Sequence, residues 1–400
     1  MDADKSENKD TDTDRLDGGD PVKRARELVP MLRDCADEAE RDRRMPRRAA
    51  EAMARAGLYR VAAPRRVGGA ECEPAEQIET IETIAAADGS VGWNLMIGIE
   101  VMGFLGAALK PDLAAKLFAD PDLIISGALN PCGVATPVPG GYRITGQWPF
   151  GSGCHNAQYF WGQCQVRDKD GNPPEDGAPT LREALLTQDE FEILDTWHVS
   201  GMRGSGSHDV AANDVFVPEE RMTAVFFEPT QEEGTLFKLP PFTRLAYNKI
   251  GVSTGIARSA IDRFVELAST HRRRASGVAL QDRPDVQIAV AEAETRLRSA
   301  RAFVFDAVGQ VWDAIEAGRE ATSEARALVH LACSNAATQS IRAVDLVCEV
   351  AGTSAIFESG PLERCQRDVR VVPQHITVSP QWNTSAGRVL LGLPSGSLFF

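Results

Sequence analysis

The chain lacks any excess of positive charge. Across its 400 residues, 57 Asp and Glu outweigh 43 Lys and Arg, giving a formal net charge of −14. Phosphate backbones and anionic lipid surfaces are recognised through positive fields, so neither nucleic acid nor membrane is an expected partner. The eight cysteines, at 35, 72, 132, 154, 164, 333, 348 and 365, form no Cys-x-x-Cys pair and no zinc-ligand spacing with His. They read as reduced, mostly buried thiols, and no metal centre is expected. No apolar run stands out as a membrane span, and the first residues are charged, so a cytoplasmic chain is expected. There is no internal repeat at a solenoid period. No Gly-x-Gly-x-x-Gly opens a strand–helix unit, so no nicotinamide site is expected.

What is present is a globular composition, 43% hydrophobic, with room for two or three packed layers. Residues 1–20 are nearly free of large apolar side chains and cannot offset their ordering entropy, so a disordered tail is expected. From Pro21 the spacing of Ala25, Leu28, Val29, Leu32, Ala36 and Ala39 predicts an amphipathic helix, with Pro at its first position. Further helices are expected over 47–56, 75–87, from Asp88 as a cap to about Leu109, and over 111–118. Trp93 in that fourth helix reads as core packing. Near Leu123 the pattern changes to short apolar runs broken by Gly and Pro. These predict strands around 124–128, 142–148, 159–166, 184–187, 191–200 and 207–218, with 128–141 as strand, loop and hairpin turn. After a connection over 228–241 helical periodicity returns, with Ser323 as a candidate cap. Three or four long helices then pack as a bundle. The fold class is α+β. Its expected domains are a helical part (21–121), an antiparallel β part (122–220) and a C-terminal four-helix bundle with a tail (242–400).

Several stretches combine small residues with side chains suited to chemistry. Trp148-Pro-Phe150-Gly-Ser152-Gly offers ring faces, close backbone approach and a hydroxyl that donates or accepts. Gly201-Met-Arg203-Gly-Ser205-Gly-Ser207 gathers backbone N–H, hydroxyl and guanidinium donors, a set suited to an anionic cofactor. His375 stands alone seven residues after an Arg367-Asp368 step, and imidazole is the side chain that exchanges protons near neutral pH. His155, His198, His208, His271 and His330 read as structural.

The run from Gly352 to His375, with its Gly turn, acidic residue and Arg-Asp step, resembles the C-terminal part of acyl-CoA dehydrogenases. The segment Gly57-Leu…Pro64-x-x-x-Gly68-Gly69 resembles their N-terminal helical domain. Where some dehydrogenases place a catalytic Glu, this chain has His375. That substitution, with Ile144-Thr-Gly-x-Trp148…Ser152-Gly-Cys154, resembles the oxygenase components of two-component flavin monooxygenases, including p-hydroxyphenylacetate and steroid phenol hydroxylases. The resemblance spans about residues 22–395.

It implies an acyl-CoA dehydrogenase-like homotetramer that binds reduced FMN or FAD delivered by a separate NAD(P)H-flavin reductase. With O2 the enzyme would hydroxylate an aromatic or polyketide-like substrate. It also implies catalytic roles for His375 and for Ser152, the latter near the flavin N5 edge. Flavin contacts are implied for Trp148, Phe150, Arg203, Ser205, Ser207, Arg273 and Ser354. Arg273 keeps the family spacing to Gly277, although Ser replaces the usual aromatic before that Gly. Two departures stand out. The helix after Gly92-Trp93 carries no His where several aromatic hydroxylases do, and His155-Asn156 replaces the family's Asp-His. The alternatives are a flavin-bound acyl-CoA dehydrogenase, an amino-sugar N-oxygenase, and a catalytically silent binder on the same scaffold. The loop around His375 offers no carboxylate for the dehydrogenase chemistry.

Overall fold

The computed structural model describes residues 19–174, 180–230, 232–270, 278–397 and 400. The tail expected over 1–20 lies, through residue 18, outside these.

Five helices come first: α1 (Pro21–Asp42), α2 (Arg47–Arg55), α3 (Pro74–Ala85), α4 (Gly89–Ala108) and α5 (Pro111–Phe118). The Asp20 carboxylate caps α1 by accepting from Val22 N–H at 2.8 Å, and Asp88 caps α4 by accepting from Val91 N–H at 3.0 Å. Seven strands follow: β1 (Ile125–Val138), β2 (Gly141–Trp148), β3 (Tyr159–Val166), β4 (Leu181–Thr187), β5 (Glu192–Leu194), β6 (Asp209–Pro218) and β7 (Met222–Thr223). The chain ends in six helices: α6 (Thr235–Lys238), α7 (Pro241–Thr270), α8 (Pro284–Glu316), α9 (Ser323–Ala351), α10 (Pro361–Asp368) and α11 (Trp382–Leu390).

The structure refines several expectations. α4 is in fact long and apolar enough to cross a membrane, with a mean hydropathy of 1.4, but 83% of that stretch is buried inside the protein. A helix apolar on every side belongs in a core, and α4 is the core helix here. The sheet, ordered β5-β6-β2-β1-β3-β4-β7, is antiparallel except where β1 and β3 run parallel. Residues 125–138 make one long strand rather than a strand, loop and turn. The register of β1 against β3 shifts between Ala128 and Gly133, a stretch containing Pro131, which has no N–H to give a ladder. The C-terminal bundle has three long helices, α7, α8 and α9, with the shorter α10 and α11 beside them. Thr322, not Ser323, caps α9 by accepting from Ala325 N–H at 3.1 Å.

The core forms two apolar clusters, one among the helices and one within the sheet. α3 and α7 press together because α7 has Gly251 and Gly255 at the crossing. A Cβ at Gly251 would lie 2.7 Å from the Ile78 carbonyl oxygen, and one at Gly255 2.5 Å from that of Glu82. Across the gap between sheet and bundle, the buried Asp368 at the end of α10 accepts Met202 N–H at 2.6 Å. Burial and the neighbouring Asp88 push the Asp368 carboxyl up to about 7. This bond anchors the loop that carries Arg203, Ser205 and Ser207.

Asp368→Ala should therefore strand a buried N–H and destabilise the protein by about 1–3 kcal/mol. Asp368→Asn keeps an acceptor and relieves crowding with Asp88, so it should cost much less. Chemical denaturation at pH 7 reads both. Equal stability of the Ala variant and the parent would show that this bond does not hold the loop.

Candidate active site

Four parts of the chain converge on the side chain of Trp93 in α4. Its indole Nε1 donates to Ser152 Oγ at 3.0 Å, and its ring meets the His375 ring edge-on at 5.9 Å between centroids. Ser152 Oγ lies 2.7 Å from Ser207 Oγ, which in turn lies 2.7 Å from Ser205 Oγ. Backbone bonds hold the two serine segments together. Gly151 N–H donates to His208 O at 2.9 Å and Gly153 N–H to Ser205 O at 3.3 Å, while the Ser126 hydroxyl donates to Ser152 O at 2.8 Å. Ser152 and the distant pair Ser205 and Ser207 thus form one buried hydroxyl array joined through Trp93 to His375. Reading Trp93 as mere packing missed this. The signal was a polar-tipped aromatic in an otherwise apolar helix, since a buried indole N–H needs a partner.

His375 is held as firmly. Its Nδ1 lies 2.9 Å from Thr377 Oγ1 and 3.3 Å from Thr377 N, and Thr377 Oγ1 donates to the Leu245 carbonyl oxygen of α7 at 3.2 Å. Burial, then the positive charge of Lys249, pushes the His375 pKa well below the usual imidazole range. Lys249 is itself fully buried, and its Nζ contacts both oxygens of Glu100 at 2.8 and 2.7 Å. Burial raises the Glu100 pKa against the pull of Lys249 and lowers that of Lys249 against the pull of Glu100. Glu100 is thus a tethered carboxylate and not a free base.

The other expected residues divide. Phe150 projects into the open, 63% exposed, from a backbone at φ 65°, and its ring meets Trp197 edge-on at 6.2 Å. A Phe in the left-handed region is strained, and the turn holds it there with its ring largely exposed. Arg203 donates through Nε to Val199 O at 2.9 Å and approaches Glu40 at 3.5 Å, on the outer side of the same loop. Trp148 corrects the expectation of a flavin contact. It has no exposed surface, sits in the sheet core, and gives its indole N–H to Gln163 O at 2.6 Å. Gly133 and Gly162 make room for it: a Cβ at either would fall within 3 Å of its ring. Ser354 sits partly buried in the short turn after α9 and has no hydrogen bond to the serine array. Arg273 and His271 lie outside the described residues. His330, read as structural, is stacked on Trp382 at 4.2 Å.

Two features of the site look outward to a ligand. A groove of about 560 Å³ runs between the 197–201 loop and the end of α10, lined in part by Trp197, Gly201, Arg367, Val371 and Gln374, the neighbour of His375. Gly201 permits the close approach of its walls, since a Cβ there would lie 2.5 Å from Arg367 O. Beside the serine turn, the Asn94 carboxamide is buried with neither Oδ1 nor Nδ2 hydrogen-bonded among the described residues, and a Cβ at Gly153 would sit 3.6 Å from its Oδ1. A buried amide without partners costs free energy unless a ligand supplies them. A flavin ring edge, with its alternating carbonyl and N–H groups, has the right chemistry. The hydroxyl array, the presented Phe150 face and the unpaired Asn94 amide therefore fit a flavin.

Comparison with known proteins agrees. The acyl-CoA dehydrogenase N-terminal domain family matches residues 24–108, and the acyl-CoA dehydrogenase C-terminal domain family matches residues 250–380. The chain is 32% identical over 368 residues to an indole-3-acetate monooxygenase of Pseudomonas putida, covering 91% of this chain and 92% of that one. It is 30% identical to the oxygenase component of an FADH2-dependent resorcinol hydroxylase of a Rhizobium species, covering 94% and 95% respectively. The crystal structure of the 3-HSA hydroxylase from Rhodococcus sp. RHA1 superposes with a TM-score of 0.85 at 28% identity, over 96% of this chain and all of the other. With both domain families and these full-length likenesses, the chain belongs to the acyl-CoA dehydrogenase superfamily and, within it, to the flavin-dependent monooxygenases that serve as oxygenase components and draw reduced flavin from a separate reductase.

Proposed function

We propose that this enzyme hydroxylates a small aromatic substrate, with His375 as its proton acceptor and the Ser152–Ser207–Ser205 array as its flavin cradle. The observation that carries the reading is the Trp93 bridge, which places a neutral imidazole and a row of hydroxyls on either side of one indole. When bound, reduced FMN or FAD supplies the electrons that activate O2. Phe150 would pack on the ring system, and Ser152 and Asn94 would meet its polar edge. Arg203, Arg273 and Ser354 would serve the phosphate end. Ser354 lies apart from the array within its own chain, so its contribution would come from a neighbouring copy. A homotetramer supplies that copy, and the exposed Ile356 and Phe357 beside Ser354, 69% and 60% accessible, suit such an interface. The eight free cysteines suit the reducing cytoplasm.

The hydrogen bonds at His375 fix the orientation of its ring. Thr377 N–H donates to Nδ1 at 3.3 Å, and Thr377 Oγ1, which gives its proton to Leu245 O, lies 2.9 Å from the same nitrogen. The neutral imidazole takes the proton from the substrate's hydroxyl or ring N–H as oxygen is transferred. Apolar burial around the site also keeps bulk water from the reacting atoms, so that reducing equivalents go to product and not to hydrogen peroxide.

His375→Ala should keep flavin binding, lower product formation by about 100-fold, and divert consumed O2 to hydrogen peroxide. Unchanged coupling of O2 to product would remove His375 from the chemistry. Because its folded pKa is depressed, the imidazole stays neutral at pH 6.5 and below. The rate should therefore show no acid limb at the ordinary histidine value, falling only at lower pH. A limb centred near 6.5 would contradict a neutral buried base.

Asn94→Leu removes no protein hydrogen bond, so the apoprotein should keep its melting temperature or gain slightly. Affinity for reduced flavin, measured by anaerobic titration, should fall about tenfold, as expected for the loss of one or two ligand hydrogen bonds. Lower stability with unchanged affinity would make Asn94 a structural residue.

A further inference from the structure

His330 is a buried imidazole that the oxygen chemistry does not use. It stands on α9 with almost no exposed surface, and its Nδ1 has no hydrogen-bond partner among the described residues. Burial, then the positive charge of Arg326, pushes its pKa down to about 4, so the ring is neutral at working pH. A buried, unpaired ring nitrogen costs free energy that an apolar side chain would avoid. What the imidazole supplies is a flat face. It stacks on the Trp382 indole with 4.2 Å between ring centres and 10° between planes, and the Phe400 ring stands 5.4 Å from His330 and 6.3 Å from Trp382.

Trp382 in turn holds the residue next to the proposed base. It opens α11, and its indole N–H donates to the Ile376 carbonyl oxygen at 2.5 Å. Ile376 depends on that bond, because its side chain is 55% exposed and apolar packing does little to fix it. Backbone bonds make the segment around it a series of tight turns. His375 N–H donates to Val372 O at 3.1 Å, Val378 N–H to His375 O at 3.1 Å, and Trp382 N–H to Ser379 O at 3.2 Å. One residue beyond Ile376, the Thr377 hydroxyl donates to Leu245 O of α7 at 3.2 Å. Two ties therefore follow His375 in the chain, one to α7 and one, through a stacked indole, to α9. A ring that must meet a substrate proton tolerates little displacement, since an error of about 1 Å costs about 100-fold in rate.

We propose that Trp382 and His330 are positioning residues for His375: the stacked pair aims one indole N–H at the Ile376 carbonyl and so fixes the direction of the neighbouring imidazole. This rests on the reading of His375 as the proton acceptor and extends it to the helices behind the site. His330 acts through its ring face and not through proton exchange, so another flat, uncharged ring should serve in its place.

Hydrogen exchange of the full-length enzyme, read by mass spectrometry over residues 372–382, tests the positioning without flavin, substrate or O2. Replacing Trp382 with benzothienylalanine, which keeps the bicyclic shape and lacks the N–H, should speed exchange in this segment about tenfold. The melting temperature and the exchange of α8 should stay close to those of the parent. Trp382→Phe should act in the same direction with some loss of stability. His330→Ala should also speed exchange, and His330→Phe, which keeps a flat ring, should restore protection. Turnover is then measured with reduced flavin, O2 and resorcinol or indole as the probe. In both Trp382 variants kcat should fall about tenfold or more with KM nearly unchanged, and hydrogen peroxide should rise toward the level of His375→Ala. Parent-like exchange in the Trp382 variants would overturn the positioning role, as would parent-like coupling in them where His375→Ala uncouples. Exchange decides by itself if the parent accepts neither probe. Faster exchange, with coupling unchanged in the Trp382 variants and in His375→Ala alike, would instead remove His375 from the chemistry and leave its clamp standing.

Discussion

One indole joins the two halves of this active site. Trp93 gives its N–H to Ser152 and its ring edge to His375, so the sheet and the C-terminal loop are both set against α4. The sheet core and the helical core are separate apolar clusters, and apolar packing alone would leave their relative placement loose. Directional polar contacts correct this. Trp93 to Ser152 is one, and Asp368 to Met202 N–H is another. Both are buried, where a lost partner is costly, and both end on loops that carry the serine array.

The electrostatics follow from burial. His375 remains neutral because its surroundings disfavour charge and Lys249 stands nearby. Glu100 could not serve as a competing base, since Lys249 holds both of its oxygens. A neutral imidazole suits proton removal from oxygen or nitrogen at neutral pH, and among the described residues no unpaired carboxylate stands beside it to abstract a proton from carbon. On the proposed reading, the scaffold shared with dehydrogenases is turned to oxygenation by the imidazole that would face the flavin.

Much of this was legible in the residues. Helical spacing located α1 through α5 to within a few positions, because each has a polar face or a Pro or Asp at its start. The Ser152, Ser205–Ser207 and His375 stretches were legible as candidates because their order and spacing resemble the flavin-monooxygenase motifs, where the residue types alone would equally suit a turn or a hydrogen-bonded His. Trp148 was misjudged because sequence cannot tell a ring packed between Gly133 and Gly162 from a ring facing a ligand. The parallel pairing of β1 with β3 was invisible, since register depends on partners far along the chain. Trp93, Asn94 and Lys249 were missed because each looks ordinary in its own helix. Their meaning arises only when the fold brings their polar groups together in a dry interior.

The central claim is that the Ser152–Ser207 array and His375 face a single flavin site across Trp93. A crystal structure of the enzyme with reduced flavin, prepared anaerobically, tests it most directly. The account predicts the ring system within hydrogen-bonding reach of the Ser152 hydroxyl and the Asn94 amide, against the face of Phe150. A flavin bound elsewhere, with Ser152 and Asn94 untouched, would contradict it.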